Sequence, residues 1–132
     1  MNRNKLIRIA ALFGALSVIL GAFGAHTLKS LLTPDQLQSY EIGVRYQFYH
    51  AFAILFCGLM TDKLLASKLN MAAGSFIAGI LLFSGSIYLL SLKNLIGIEN
   101  LSWIGPVTPI GGVLFIVGWV FVFLSAKNKT PK

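Results

Sequence analysis

Acidic side chains are nearly missing from this chain: four Asp and Glu stand among 132 residues, and charged residues of both signs make up 11%. A soluble domain carries roughly 25%, so a water-facing shell around an apolar core is excluded. Cysteine is reduced to Cys57, which excludes an intramolecular disulfide and leaves a small residue inside an apolar segment. With His26 and His50 the only histidines, the ligand set of a zinc site is absent. The acids Asp35, Glu41 and Glu99 fall in different loops from Asp62, and no pair of carboxylates is apparent for general acid and base work. Ser39 and Ser102 sit in no nucleophile motif.

Long hydrophobic runs fill the space those absences leave. Hydrophobic residues make up 56% of the chain, and charge-free runs cover Ile9–Leu28, Tyr46–Thr61, Leu69–Leu92 and Asn100–Ala126. A spanning helix needs about 20 apolar residues. The chain therefore reads as a single all-α domain over 1–132, an integral membrane four-helix bundle with spans near 6–26, 45–62, 70–92 and 109–126.

The net charge is +7, yet the placement of the basic residues excludes nucleic acid as its explanation. Arg3, Lys5 and Arg8 precede the first span, Lys63 and Lys68 separate the second from the third, and Lys127, Lys129 and Lys132 follow the fourth. Only Lys29, Arg45 and Lys93 fall on the other side. The bias predicts a plasma-membrane protein with both termini in the cytoplasm, its basic residues facing anionic headgroups. The basic start, apolar stretch and small residues at Ala22–Ala25 have the outline of a signal peptide; we read the segment as a retained span because its small and polar residues suit packing.

Between the first two spans, Thr33-Pro34-Asp35-Gln36 has the form of a helix start, with a cap, a proline at the first helical position and the Gln of a capping box. Leu37, Tyr40 and Val44 continue at helical spacing, and Glu41 stands four residues before Arg45, the favourable orientation for an ion pair. This predicts an amphipathic external helix over about 34–44, lying at the interface or running on through Gly43. The apolar loop from Lys93 to Thr108 is expected to lie on the membrane with Trp103 as its anchor. Thr108-Pro109 reads as a second cap and helix start.

Small residues form stripes that let helices approach closely. Gly14, Ser17, Gly21 and Ala25 do so in span one, and Gly74, Ala78 and Gly79 in span three, with Gly85 beyond them. Gly111 and Gly112 open span four. Such stripes fit contact within the bundle, with a second copy of the chain or with another membrane protein.

Chemistry, if the chain has any, concentrates near His26, Tyr46, Gln47 and His50. Counted along the spans, both histidines fall on the external side at a shared depth, and Tyr46, Gln47 and His50 recur at helical spacing. Ionisable groups at membrane depth often mark function, and imidazole titrates near neutral pH and binds metals, so a proton relay or weak cation site is one reading. The commoner use of such residues is a hydrogen bond across a helix contact. Two histidines call for no metal and no cofactor, bis-histidine haem included.

The segments Gly21-Ala22-Phe23-Gly24-Ala25-His26, Tyr46-Gln47-Phe48-Tyr49-His50-Ala51, Phe83-Ser84-Gly85-Ser86-Ile87-Tyr88 and Pro106-Val107-Thr108-Pro109-Ile110-Gly111-Gly112 resemble, in order and spacing, the YwdK/YgdD family of small bacterial membrane proteins, domain of unknown function 423. The resemblance implies a small integral protein of the plasma membrane and assigns no role to the matching residues. The expectation is a non-enzymatic accessory or interaction component. An oligomeric small channel or transporter for protons, ions or small solutes is the alternative. A membrane enzyme acting on lipid or quinone ranks last, for want of an acid, nucleophile or metal cluster.

Overall fold

The computed structural model describes residues 1–98 and 100–127; Glu99, Lys129 and Lys132 lie outside the described residues. Helix α1, Arg3–His26, opens on Asn2, whose side chain accepts a hydrogen bond from Lys5 N at 2.8 Å. After a short 3-10 turn at Leu28–Ser30, α2 spans Pro34–Leu59. Its start is the capping box expected from the sequence: Thr33 Oγ1 accepts from Gln36 N at 3.2 Å, and Gln36 Oε1 accepts from Thr33 N at 3.0 Å. Nothing interrupts the helix at Gly43, so the amphipathic stretch and the second span are one continuous element of 26 residues. Helix α3, Ala66–Gly79, passes through a π-helical turn at Ile80–Ser84 into α4, Gly85–Leu92.

The last helix, α5, spans Val107–Ser125 with Pro106 at its cap position. The Thr108 cap predicted from the sequence is displaced: Thr108 already lies within the first turn, and its hydroxyl is hydrogen-bonded to Ser86 instead. Pro109 is tolerated there because the first helical N–H groups have no partner inside the helix.

Three stretches, Arg3–His26, Ala66–Leu92 and Ser102–Ser125, are long and apolar enough to cross a bilayer. Helix α2 has the length, about 39 Å by helical rise, but Asp35, Glu41, Arg45, Gln47 and His50 reduce its apolarity. It crosses the bundle as the central layer. Helix α1 packs on one side of it, α3 and α4 on the other, and α5 lies beyond on α3 and the π turn.

The inward positions of α1 are Leu6, Ala10, Phe13, Ser17, Leu20 and Gly24, alternating steps of four and three that make a left-handed seam. Leu6 and Ala10 join Ile54, Cys57, Leu69 and Phe76 in one apolar cluster, while Leu28, Leu32 and Tyr40 make another toward the opposite end. The basic residues gather where Arg3 Nη1 meets Asp62 Oδ2 at 3.3 Å and Leu65 N donates to Ser125 O at 3.1 Å.

Close approach between helices occurs at only part of the expected stripes. A Cβ on Gly79 would fall 2.5 Å from the Phe115 ring, and one on Gly111 2.3 Å from Phe83 N. Gly21 and Gly112 make ordinary contacts, and Gly14, Gly74 and Gly85 face open space. Ala25 is exposed and Ala78 half-buried. The tight glycines absent from the expected set are Gly24 under Tyr40, Gly43 under Tyr88 and Gly118 under Phe76. The Glu41–Arg45 ion pair expected from their spacing does not form, and both side chains face out of the bundle.

Candidate polar site between the helices

The residues expected to share one polar site are distributed over three places. Helices α1 and α2 run antiparallel with Leu20 beside Tyr40 and Phe13 beside Gln47. On that register His50 lies at the level of about Ala10, some 24 Å along the axis from His26. The shared depth is therefore corrected: span two begins within a helix that starts at Pro34, so His50 is more than four turns in. His26 is exposed at the end of α1 and makes no hydrogen bond with the described residues.

Gln47, 3% exposed, faces α1 and α4. Its Nε2 donates to Phe13 O at 3.0 Å, and its Oε1 accepts from Tyr88 Oη at 2.7 Å. One amide thus joins three helices. Just above, Tyr40 Oη donates to Leu20 O at 2.6 Å and Ser84 Oγ donates to Gly43 O at 2.6 Å.

His50, 4% exposed, faces α5. Trp119 Nε1–H donates to its Nε2 at 3.1 Å, so Nε2 is the acceptor and the ring proton sits on Nδ1. From there it is donated to Tyr46 O at 2.7 Å. The ring stacks on Phe115 with centroids 3.6 Å apart and planes 10° from parallel. The neutral imidazole is held by two hydrogen bonds and an aromatic face. The Tyr46 side chain is 40% exposed and packs on Phe83 at 5.0 Å.

Phe13 O, Leu20 O, Ser84, Tyr88 and Trp119 complete these contacts and are the parts that sequence reasoning missed. Backbone carbonyls give no sequence signal. Tyr88 and Trp119 could have been sought as amphipathic aromatics within spans. Among the described residues, no three of His, Cys, Asp and Glu come together as a metal site would require. Chemically the arrangement positions helices: each hydrogen bond joins two of them or secures a residue that does.

Over residues 20–112 the chain matches the family described as protein of unknown function, DUF423. It is 38% identical to the UPF0382 membrane protein YwdK of Bacillus subtilis, covering 91% of this chain and 94% of that protein. It is 39% identical to a UPF0382 membrane protein of Haemophilus influenzae, covering 97% and 98% of the two. With the UPF0382 inner membrane protein YgdD of Escherichia coli it shares 32% identity over 100% of this chain and 96% of its relative. No solved structure matches. A helical membrane architecture shared in sequence across nearly its whole length places this chain in the DUF423 family of small membrane proteins.

Proposed function

We propose that the chain is a non-enzymatic accessory or interaction component of the plasma membrane, with both termini in the cytoplasm. The observation that carries this reading is that both polar ends of Gln47 and both ring nitrogens of His50 are used in hydrogen bonds, all but one of them between helices. A proton relay passes its proton along hydrogen bonds between groups that titrate, whereas the partners of His50 are a backbone carbonyl and the Trp119 indole N–H, a donor only; the buried polar residues here hold helices together. Their outer surfaces are left for lipid and for other membrane proteins. Orientation rests on the clustering of Arg3, Lys5, Lys63 and Lys127 at one end, which the positive-inside bias assigns to the cytoplasm. The Escherichia coli relative is named an inner membrane protein, in keeping with that location.

Proteoliposome flux tests the reading. Protein-containing vesicles are expected to pass protons and small ions no faster than protein-free vesicles. Flux well above that background, lost in His50→Ala, would overturn it in favour of an oligomeric channel. Protease access to tags at the two termini tests the orientation; digestion of either tag in intact cells would reverse it.

A further inference from the structure

Glu41 and Arg45 remain after the bundle's contacts are assigned: both are exposed and make no hydrogen bond or ion pair with the described residues. On the antiparallel register of α1 and α2, Glu41 lies level with Ile19 and Arg45 with Ala15. The charge-free stretch of α1 runs from Ile9 to Leu28, so Glu41 stands about 14 Å from either end of it and Arg45 about 6 Å nearer the basic end. The Glu41 side chain is too short to reach either interface. Charges in the middle of a bilayer are costly and pair with one another or with backbone groups, so these two call for a partner outside the bundle.

Depth decides what that partner is. A phospholipid headgroup lies outside the hydrocarbon core, so lipid covers this face only with acyl chains and leaves both charges unpaired. A protein partner must bring a base opposite Glu41 and an acid opposite Arg45, and the chain itself carries that pair. With two copies in the same orientation, a two-fold axis along the membrane normal sets each residue at the depth of its own mate. The isologous contact then makes the pair twice, Glu41 against Arg45 of the second copy and Arg45 against its Glu41. The offset of one turn, about 6 Å, is bridged because side chains lean toward the helix N-terminus, which carries the long side chain of the deeper Arg45 up toward the acid.

The surroundings of the two charges fit a copy of the same face. Along α2, Glu41, Arg45, Phe48, Phe52 and Leu59 are exposed and recur in steps of four, three, four and seven, the spacing of a helix seam with no helix against it. Beside them runs a trough walled on the α1 side by Ala11, Gly14, Val18 and Gly21, with about 330 Å³ near the charges and about 170 Å³ near Gly14. Nothing lies within 4 Å of a Cβ at Gly14. Small residues there let a further helix approach closely, and Phe52, 58% exposed, supplies bulk to fill the hollow.

We propose that α2 is the seam of a parallel homodimer, in which Glu41 and Arg45 of each copy pair with Arg45 and Glu41 of the other in mid-bilayer and the aromatic side chains of each α2 enter the small-residue trough of its mate. The proposal rests on the interaction reading above, whose partner it names. Copy number tests the proposal and flux tests that reading, so a dimer that conducts ions overturns the reading alone and a non-conducting monomer overturns the proposal alone.

The test is native mass spectrometry of the protein ejected from vesicles of dioleoyl phosphatidylethanolamine and phosphatidylglycerol. Wild type is expected as a dimer. Glu41→Arg and Arg45→Glu each place two like charges in the seam and should be monomeric on their own, with dimerisation weakened at least about 30-fold, the effect of a buried charge left unpaired. Reconstituted together, the two variants should form a mixed dimer, since each supplies the sign the other lacks; an ion pair closed within one helix could not be restored by another copy. Gly14→Leu, which fills the trough from a position with open space, should weaken the dimer and leave the monomer folded. Phe52→Cys should cross-link to its own mate in intact membranes, while Val113→Cys, exposed on α5, should not; Cys57 is buried and does not compete. The cross-link decides the seam where either charge variant fails to fold. A wild-type monomer, bare or holding lipid, would overturn the proposal, as would a dimer unchanged in both charge variants or cross-linking at Val113 in place of Phe52.

Discussion

A methyl group added at position 111 would fall 2.3 Å from the backbone nitrogen of Phe83, and no side-chain rotation can clear it. Gly111→Ala is therefore expected to cost about 1–3 kcal/mol, as overpacking does in a filled core. Gly74→Ala and Gly85→Ala, with nothing within 4 Å of the added carbon, should change stability by no more than about 0.5 kcal/mol. Equal losses at all three positions in denaturant unfolding from micelles would dismiss close packing as the reason for Gly111. Ser91 Oγ is buried with no hydrogen-bond partner, so Ser91→Ala should hold or raise the unfolding midpoint, removing a group whose burial costs about 1–3 kcal/mol. A lower midpoint would mean that the hydroxyl has a partner in the membrane. Residue types were legible in the sequence at this scale, and partners were not. Gln47 and His50 are three positions apart, about 60° around a helix, and seemed to share a face. In a helix flanked on both sides that angle is enough to send one to α1 and α4 and the other to α5.

Among the elements, α2 was the most legible at its start and the least along its length. Thr33, Pro34 and Gln36 carry a local signal that needs no tertiary contact, and the capping box forms as they imply. Thr33→Ala should cost about 1 kcal/mol and show as faster amide exchange over the first turn of α2; unchanged exchange would mean that packing alone holds that turn. The depth of His50 was misjudged because a helix beginning at Pro34 carries the whole span further along the axis than charge-free counting does. The π turn at Ile80–Ser84 leaves no mark in composition: such turns are rare single-turn features inside α-helices, and the apolar run there would continue an ordinary helix as well. Here Gly111 lies against the backbone of that turn, and Ser84 reaches the Gly43 carbonyl. Trp119→Phe removes the donor to His50 Nε2 while keeping most of the ring contacts, and should cost about 0.6 kcal/mol, the average for hydrogen bonds between membrane helices, and no more than about 1.7 kcal/mol. A neutral result would assign the hold on His50 to Phe115 alone.

For the whole molecule, hydrophobic run length and the positions of basic residues carry most of the architecture, because the bilayer imposes helix length and charge placement together. The order of the layers was not legible: four apolar helices can be arranged in several ways, and here Gln47, Tyr88 and Trp119 select neighbours that hydropathy does not distinguish. Closure at the basic end depends little on charge. Arg3 and Asp62 are 52% and 78% exposed, so Asp62→Asn should shift stability by less than about 1 kcal/mol; a larger loss would show that the salt bridge anchors the α2–α3 turn. The wide turn in the third rod has a further consequence. An α-helix advances about 100° per residue, so the one additional residue held in a π turn sets the angular phase between Phe76 below it and Tyr88 above. Deleting a single residue from 80–84 should leave Phe76 seated against α5 while swinging Tyr88 about a quarter-turn off Gln47. A one-residue change in length at that turn could therefore re-aim the upper half of the bundle without altering any side chain in the lower half.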